Sequence, residues 1–135
     1  MMTAGSDRSF RGLLVWRQAM TLATSCYSMT RMLPREELYG LVSQIRRASI
    51  SIPANIAEGT GRGTRKNFAS FLRIAQGSLR ELETYLLLLV EIRLLPEQTV
   101  SPLLEQVASV GRLLSRLIQS MDPTHRRQAP ERPTT

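Results

Sequence analysis

The sequence predicts an all-α protein, an antiparallel up-down-up-down four-helix bundle, and three observations predict it. Four separate series of apolar residues recur at alternating steps of three and four, the spacing that lays one stripe along a helix. Proline or glycine punctuates the chain between them, and the connections left over are short enough to make sequential helices antiparallel neighbours. Only 5% of the 135 residues are aromatic, so the aromatic and β-branched alternation that builds sandwiches and barrels is scarce.

The first series is Val15, Ala19, Leu22, Cys26 and Met29, which predicts a helix from about Leu13 to Met32 that Pro34 ends. The second is Leu38, Leu41, Ile45, Ala48 and Ile52, running on to Ile56. It starts behind Glu36 and Glu37, whose carboxylates suit the positive end of a helix dipole. Pro53 lies inside it and removes the bond to the carbonyl of Ser49, so the second helix is expected to kink there. The third series is Phe68, Leu72, Ala75, Leu79, Leu82, Leu86 and Leu89, behind Thr64 as N-cap and ending before Pro96. The fourth is Val100, Leu103, Val107, Val110, Leu114, Leu117 and Met121, closed by Pro123. The bundle is thus expected over residues 13–121, with a flexible N-terminal segment over 1–12 and a disordered basic tail over 122–135.

Several classes of function are disfavoured at once. The longest purely apolar run, Tyr85 to Val90, is far below the roughly 18 residues that cross a bilayer, and Met1 to Phe10 has no apolar core behind a basic start. A cytoplasmic protein with no membrane partner is expected. Cys26 is the only cysteine and His125 the only histidine, too few for an intrachain disulfide or a Cys/His zinc site. Glu81 and Glu83 sit two apart and do not share a helix face, and no Glu-x-x-His pair offers a di-iron site. Neither metal, cofactor nor catalysis is expected. Cys26 and Trp16 read as core and packing anchor.

Charge is the informative property. The chain carries 18 basic against 11 acidic side chains, a net +7, and Lys66 is the only lysine. Guanidinium is planar, permanently charged and suited to gripping phosphate. The charge is also polarised: residues 1–34 carry +3, residues 35–80 carry +5, residues 81–110 carry −4 and residues 111–135 carry +3. In an up-down-up-down bundle, the start of the first helix, the turn between the second and third, and the end of the fourth share one end. That end would collect Arg8, Arg11, Arg62, Arg65, Lys66, Arg112, Arg116, Arg126 and Arg127. A basic pole of this kind holds nucleic-acid phosphates through counterion release with little sequence readout. Arg62, Arg65, Lys66, Arg112 and Arg116 are the first candidates. Arg46 and Arg47 follow, if the second helix does not hold them in internal salt bridges. The competing reading is a solvated surface whose net charge serves solubility.

The stretch Ser49-Ile-Ser-Ile-Pro-Ala-Asn-Ile-Ala-Glu-Gly59 is the least ordinary. Ser51, Asn55 and Glu58 predict a structural polar network at the kink, with Arg47 as one partner for Asn55 or Glu58. Gly59-Thr-Gly-Arg-Gly63, followed by Thr64, Arg65 and Lys66, makes a glycine-rich turn that opens onto a helix N-terminus, where free N–H groups and cations suit a phosphate. The spacing is not that of a P-loop, and a helix C-cap with a hairpin turn explains it as well. Tyr85 to Val90 is apolar around the whole circumference, and Leu113/Leu114 and Leu117/Ile118 widen the fourth stripe. Burial between copies is the simplest remedy, so a homo-oligomer is expected.

Four strings carry a resemblance: Leu14-Val-Trp-Arg-Gln-Ala19, Tyr39-Gly-Leu-Val-Ser-Gln-Ile-Arg-Arg-Ala48, Ser51-Ile-Pro-Ala-Asn-Ile-Ala-Glu-Gly59 and Ala75-Gln-Gly-Ser-Leu-Arg-Glu-Leu-Glu83. Over about Leu13 to Leu95 the chain resembles the four-helix bundle family known as 23S rRNA intervening sequence proteins. The resemblance implies a homopentamer and no settled molecular activity. That family is similar in turn to the accessory variability determinant of diversity-generating retroelements, which implies nucleic acid and a reverse transcriptase as partners. Two functions from different classes follow: a non-catalytic nucleic-acid-binding accessory factor, or a scaffold that binds protein alone.

Overall fold

The computed structural model describes residues 10–121. The flexible segment and the basic tail expected at the termini therefore lie outside the described residues, except for Phe10–Gly12, a short 3-10 turn. Four helices follow: α1 Leu14–Thr30, α2 Ser43–Thr60, α3 Arg65–Glu91 and α4 Glu97–Met121. No strand occurs among the described residues.

Each helix packs on its neighbours in sequence, and α4 closes the ring against α1. Contacts give the directions. The Ser109 hydroxyl donates to Gln18 Oε1 at 2.7 Å and Gln106 Nε2 donates to Ser25 Oγ at 3.2 Å, so α4 descends as α1 rises. Ser51 meets Ser78 at 2.8 Å while Gly59 lies against Phe68 and Phe71, so α2 and α3 are opposed. Gln76 Nε2 donates to Ser115 Oγ at 3.3 Å and Leu79 lies beside Gly111, so α3 and α4 are opposed too. The α2–α3 turn, the start of α1 and the end of α4 consequently share one end.

The apolar series face inward. Leu22 and Cys26 of α1, Ile45, Ile52 and Ile56 of α2, Leu72, Leu82 and Leu86 of α3, and Val110 and Leu114 of α4 are fully buried. Thr64 caps α3 as its spacing predicts, its hydroxyl accepting the Asn67 N–H at 3.1 Å. Towards its C-terminus α4 buries Ile118 and leaves Leu117 half-buried, because a 3.6-residue helix drifts against a strict heptad.

The second helix departs most from its predicted form. A 3-10 turn at Arg35–Glu37 and a π-helical turn at Leu38–Val42 precede it, with non-helical dihedrals at Gly40 (φ −109°, ψ −107°). A π turn holds more residues per revolution than an α turn, so the series loses phase and Leu38 is 40% exposed. α2 itself is continuous through Pro53. Non-helical dihedrals fall at Gly40, thirteen residues before Pro53.

The last turn of α2 is tightly packed and the end of α3 carries a left-handed residue. Gly59, a possible C-cap by sequence, lies inside α2, which Gly61 ends. A Cβ at Gly59 would stand 2.8 Å from Phe68 Cδ1 and 3.0 Å from Phe71 Cβ. α3 closes with the Leu94 N–H on the Leu89 carbonyl and the Arg93 N–H on that of Val90, with Arg93 left-handed at φ 62°. This is a Schellman cap with arginine where glycine is usual.

Opposite outcomes are expected at these two positions in denaturant unfolding. Gly59→Ala inserts a methyl group with no room and should destabilise the chain by about 1–3 kcal/mol. Arg93→Gly relieves the left-handed conformation and should stabilise it by roughly 0.5–1 kcal/mol.

Candidate nucleic-acid interface

The candidate basic residues occupy three environments. Arg65 and Lys66 are exposed in the first turn of α3, which has no acidic residue. Cations there oppose the helix dipole, at a cost of about 0.3–1 kcal/mol each, and an approaching anion would remove that cost. Arg62, just before them, is committed within the chain. It pairs with Glu58 at 2.7 Å, both side chains about half exposed, and its guanidinium stacks 5.0 Å from the Phe71 ring centroid.

Arg112 and Arg116 lie elsewhere. They are one turn apart on α4 and line a cleft of about 450 Å³ against α3, together with Ser115 and with Gln76, Arg80 and Glu83. Arg80, Arg112 and Arg116 are exposed and have no ion-pair partner among the described residues. Gln76 and Ser115, hydrogen-bonded across the cleft, fix its two walls in register. Since Gln76 is eleven residues beyond Arg65 on α3, the cleft lies roughly 16 Å along the bundle from that helix start. The cations expected at a single pole are therefore split between an end and a side. The sequence reading missed Arg80. Its signal was the series Arg73, Gln76, Arg80, Glu83, a polar stripe at the same steps of three and four as the core.

The second-line arginines are tied down. Arg46 Nε donates to Thr30 Oγ1 at 2.9 Å and the guanidinium lies 4.6 Å above the Tyr27 ring, a stacking that fixes the side chain between α1 and α2. Arg47 donates to Gln44 Oε1 at 2.7 Å. Neither is in a salt bridge among the described residues; both are engaged by neutral groups.

The polar network at Pro53 has partly different members from those proposed. Asn55 Nδ2 donates to the Ser51 carbonyl at 2.8 Å and to Ser51 Oγ at 3.0 Å, and Ser51 reaches across to Ser78 of α3. Glu58 points to Arg62 instead. Ser49, buried, donates to the Arg46 carbonyl one turn back. Ser78 is the member that sequence spacing missed, because a serine on the apolar side of α3 gives no sign of its partner.

Among the described residues no helix is long and apolar enough to cross a membrane, and no His, Cys, Asp and Glu cluster is arranged to hold a metal ion. A family model described as 23S rRNA-intervening sequence protein matches residues 11–116. A crystal structure of a protein with unknown function from the S23 ribosomal protein family, from Bacteroides thetaiotaomicron VPI-5482, is similar at a TM-score of 0.71 and 23% sequence identity. The similarity covers 78% of this chain and 99% of that one. At that identity the likeness establishes the fold alone. No curated protein matches the chain.

Cys26 faces the core from α1, and burial pushes its thiol up to about 12 from an ordinary 9.0. The unfolded chain therefore releases this proton first, and stability is lost as pH rises above 9. The slope should approach about 1.4 kcal/mol per pH unit until the folded thiol also ionises. Unfolding followed from pH 8 to 11 should show this slope as the difference between wild type and Cys26→Ala, and native Cys26 should resist alkylation until denaturant is added.

Proposed function

Because the chain belongs to the 23S rRNA-intervening sequence protein family, we propose that it is a non-catalytic cytoplasmic accessory protein that self-associates and holds nucleic acid by its phosphates. The observation that carries this reading is the α3–α4 cleft, whose lining holds Arg80, Arg112 and Arg116 against the one carboxylate of Glu83, with none of the three in an ion pair among the described residues. Three guanidinium groups on one cleft leave a net positive surface, which a chain of phosphates neutralises while releasing condensed counterions. Arg65 and Lys66 offer a second contact nearer the α2–α3 turn. Guanidinium groups suit phosphate oxygens, so contact to the backbone with weak sequence preference is the expected mode.

Self-association belongs to the same reading. Leu14, Met20, Ile50, Ile74, Leu87 and Leu88 are 40–51% exposed, an apolar surface that further copies would cover. A pentamer is the stoichiometry expected from the resemblance, and a reverse transcriptase is the protein partner it suggests. A scaffold that binds protein but no nucleic acid is the competing reading, and the binding experiment separates the two.

Anisotropy titrations of labelled RNA and DNA against the full chain should show affinity falling steeply with salt. Arg80→Gln/Arg112→Gln/Arg116→Gln should weaken binding and lower the log–log salt slope by roughly 2–3. Binding that is flat with salt, or a triple variant with the wild-type slope, overturns the reading.

A further inference from the structure

Between α1 and α2 lies an open, almost wholly apolar groove of about 450 Å³. Trp16, Met20, Tyr27 and Ile50 wall it above a floor that includes Pro53 and Ala54. Met20 is 43% and Ile50 48% exposed. One end of the groove is charged, because Arg46 is stacked on Tyr27 and fixed through Nε by Thr30. Its two terminal amino groups have no partner among the described residues. A rigid guanidinium edge at the mouth of an apolar groove suits a helix that carries apolar side chains and one carboxylate on the same face.

α3 of this same chain presents such a face, on the side away from its own core. Ile74, Gly77, Glu81, Thr84 and Leu88 repeat at steps of three, four, three and four, a second seam beside the buried one. Ile74 is 51% and Leu88 40% exposed. Gly77 is in the middle of a 27-residue helix, and a Cβ there would meet nothing within 4 Å. An exposed helical glycine costs about 1 kcal/mol relative to alanine, and no contact among the described residues accounts for it. Close approach by another surface does. Glu81 has no ion pair among the described residues, since Arg47, which lines the same small cleft, is turned to Gln44.

Groove and seam also match in height. Ser51 of α2 and Ser78 of α3 lie level, 2.8 Å apart. Arg46 is five residues above that level and Glu81 three, a difference of about 3 Å along the bundle; Ala54 and Ile74 are three and four residues below it, within about 2 Å. Copies related by an axis parallel to the helices keep these heights, so Ile74 meets the groove floor where Glu81 meets Arg46.

We infer that the α1–α2 groove of one copy receives the outer face of α3 from a second copy, with Glu81 on Arg46, Ile74 over Ala54 and Gly77 allowing the close approach. The inference rests on the self-association proposed above and specifies its interface. Groove and seam are different faces of the chain, so the contact is head-to-tail and closes into a ring if the rotation permits.

Light scattering and sedimentation velocity on the full chain test it. Gly77→Gln favours the helix and fills the approach, so it should weaken self-association roughly tenfold or more with helix content undiminished. Arg46→Glu and Glu81→Arg should each weaken it, and the double variant Arg46→Glu/Glu81→Arg should recover most of the loss. A wild-type oligomer that all these variants leave intact places the interface elsewhere while self-association stands. A double variant no better than the singles overturns the Arg46–Glu81 register. Wild type that stays monomeric overturns both the interface and the self-association on which it rests. Should Arg46→Glu lose helix content, Gly77→Gln and Glu81→Arg alone decide.

Discussion

The close approach of α2 to α3 is the constraint on which the rest of the bundle depends. At Gly59 the two backbones come near enough that a single methyl group would collide with Phe68 and Phe71, and eight residues up α2 the Ser51–Ser78 hydrogen bond locks the register. Those two points fix a line, and everything on either helix takes its position from it. Because Phe71 is held there, Arg62 can lie over its ring and reach Glu58. Because α3 is fixed in height, Gln76 comes opposite Ser115 and brings Arg80 to the level of Arg112 and Arg116.

Most of this architecture was legible because burial imposes a period. Nearly every residue of the series on α1 and α3 is buried, since a stripe of aliphatic side chains on a long helix has one favourable place to go. The losses occur where periodicity carries no information. Leu38 sits on a π turn whose phase a 3.6-residue reading cannot follow. Gly59 resembles a terminator by residue type, whereas its role is set by a phenylalanine on the next helix. Arg93 adopts a conformation that sequence assigns to glycine, because the Schellman bonds to Leu89 and Val90 hold it there.

The site was half legible for a related reason. Net charge and its distribution along the chain can be read from sequence, and they drew attention to Arg112 and Arg116, which line one cleft. Which cations share a surface depends on how the helices are rotated about their axes, and that is set by packing. Arg80 joins Arg112 and Arg116 across an interhelical cleft, while Arg46 leaves the exposed set through a tyrosine and a threonine on α1. Formal charge treats those two arginines alike. Geometry separates one exposed on the wall of a cleft from one held by a tyrosine ring and a threonine at the edge of an apolar groove.

That separation has a consequence for how one small chain can serve two purposes. The arginine cleft lies between α3 and α4 and the apolar groove between α1 and α2, so on a ring of four helices the two are on opposite sides. The second seam of α3 lies towards its α2 side, away from Gln76 and Glu83, so a neighbour seated on it would leave the cleft open. Each added copy would then present the same cleft again at the same height. Separate weak phosphate contacts would act as one multivalent surface, whose gain comes from effective concentration and needs no new contact chemistry. An exposed helical glycine is tolerable in such a chain, since what it costs one helix the contact between copies can return.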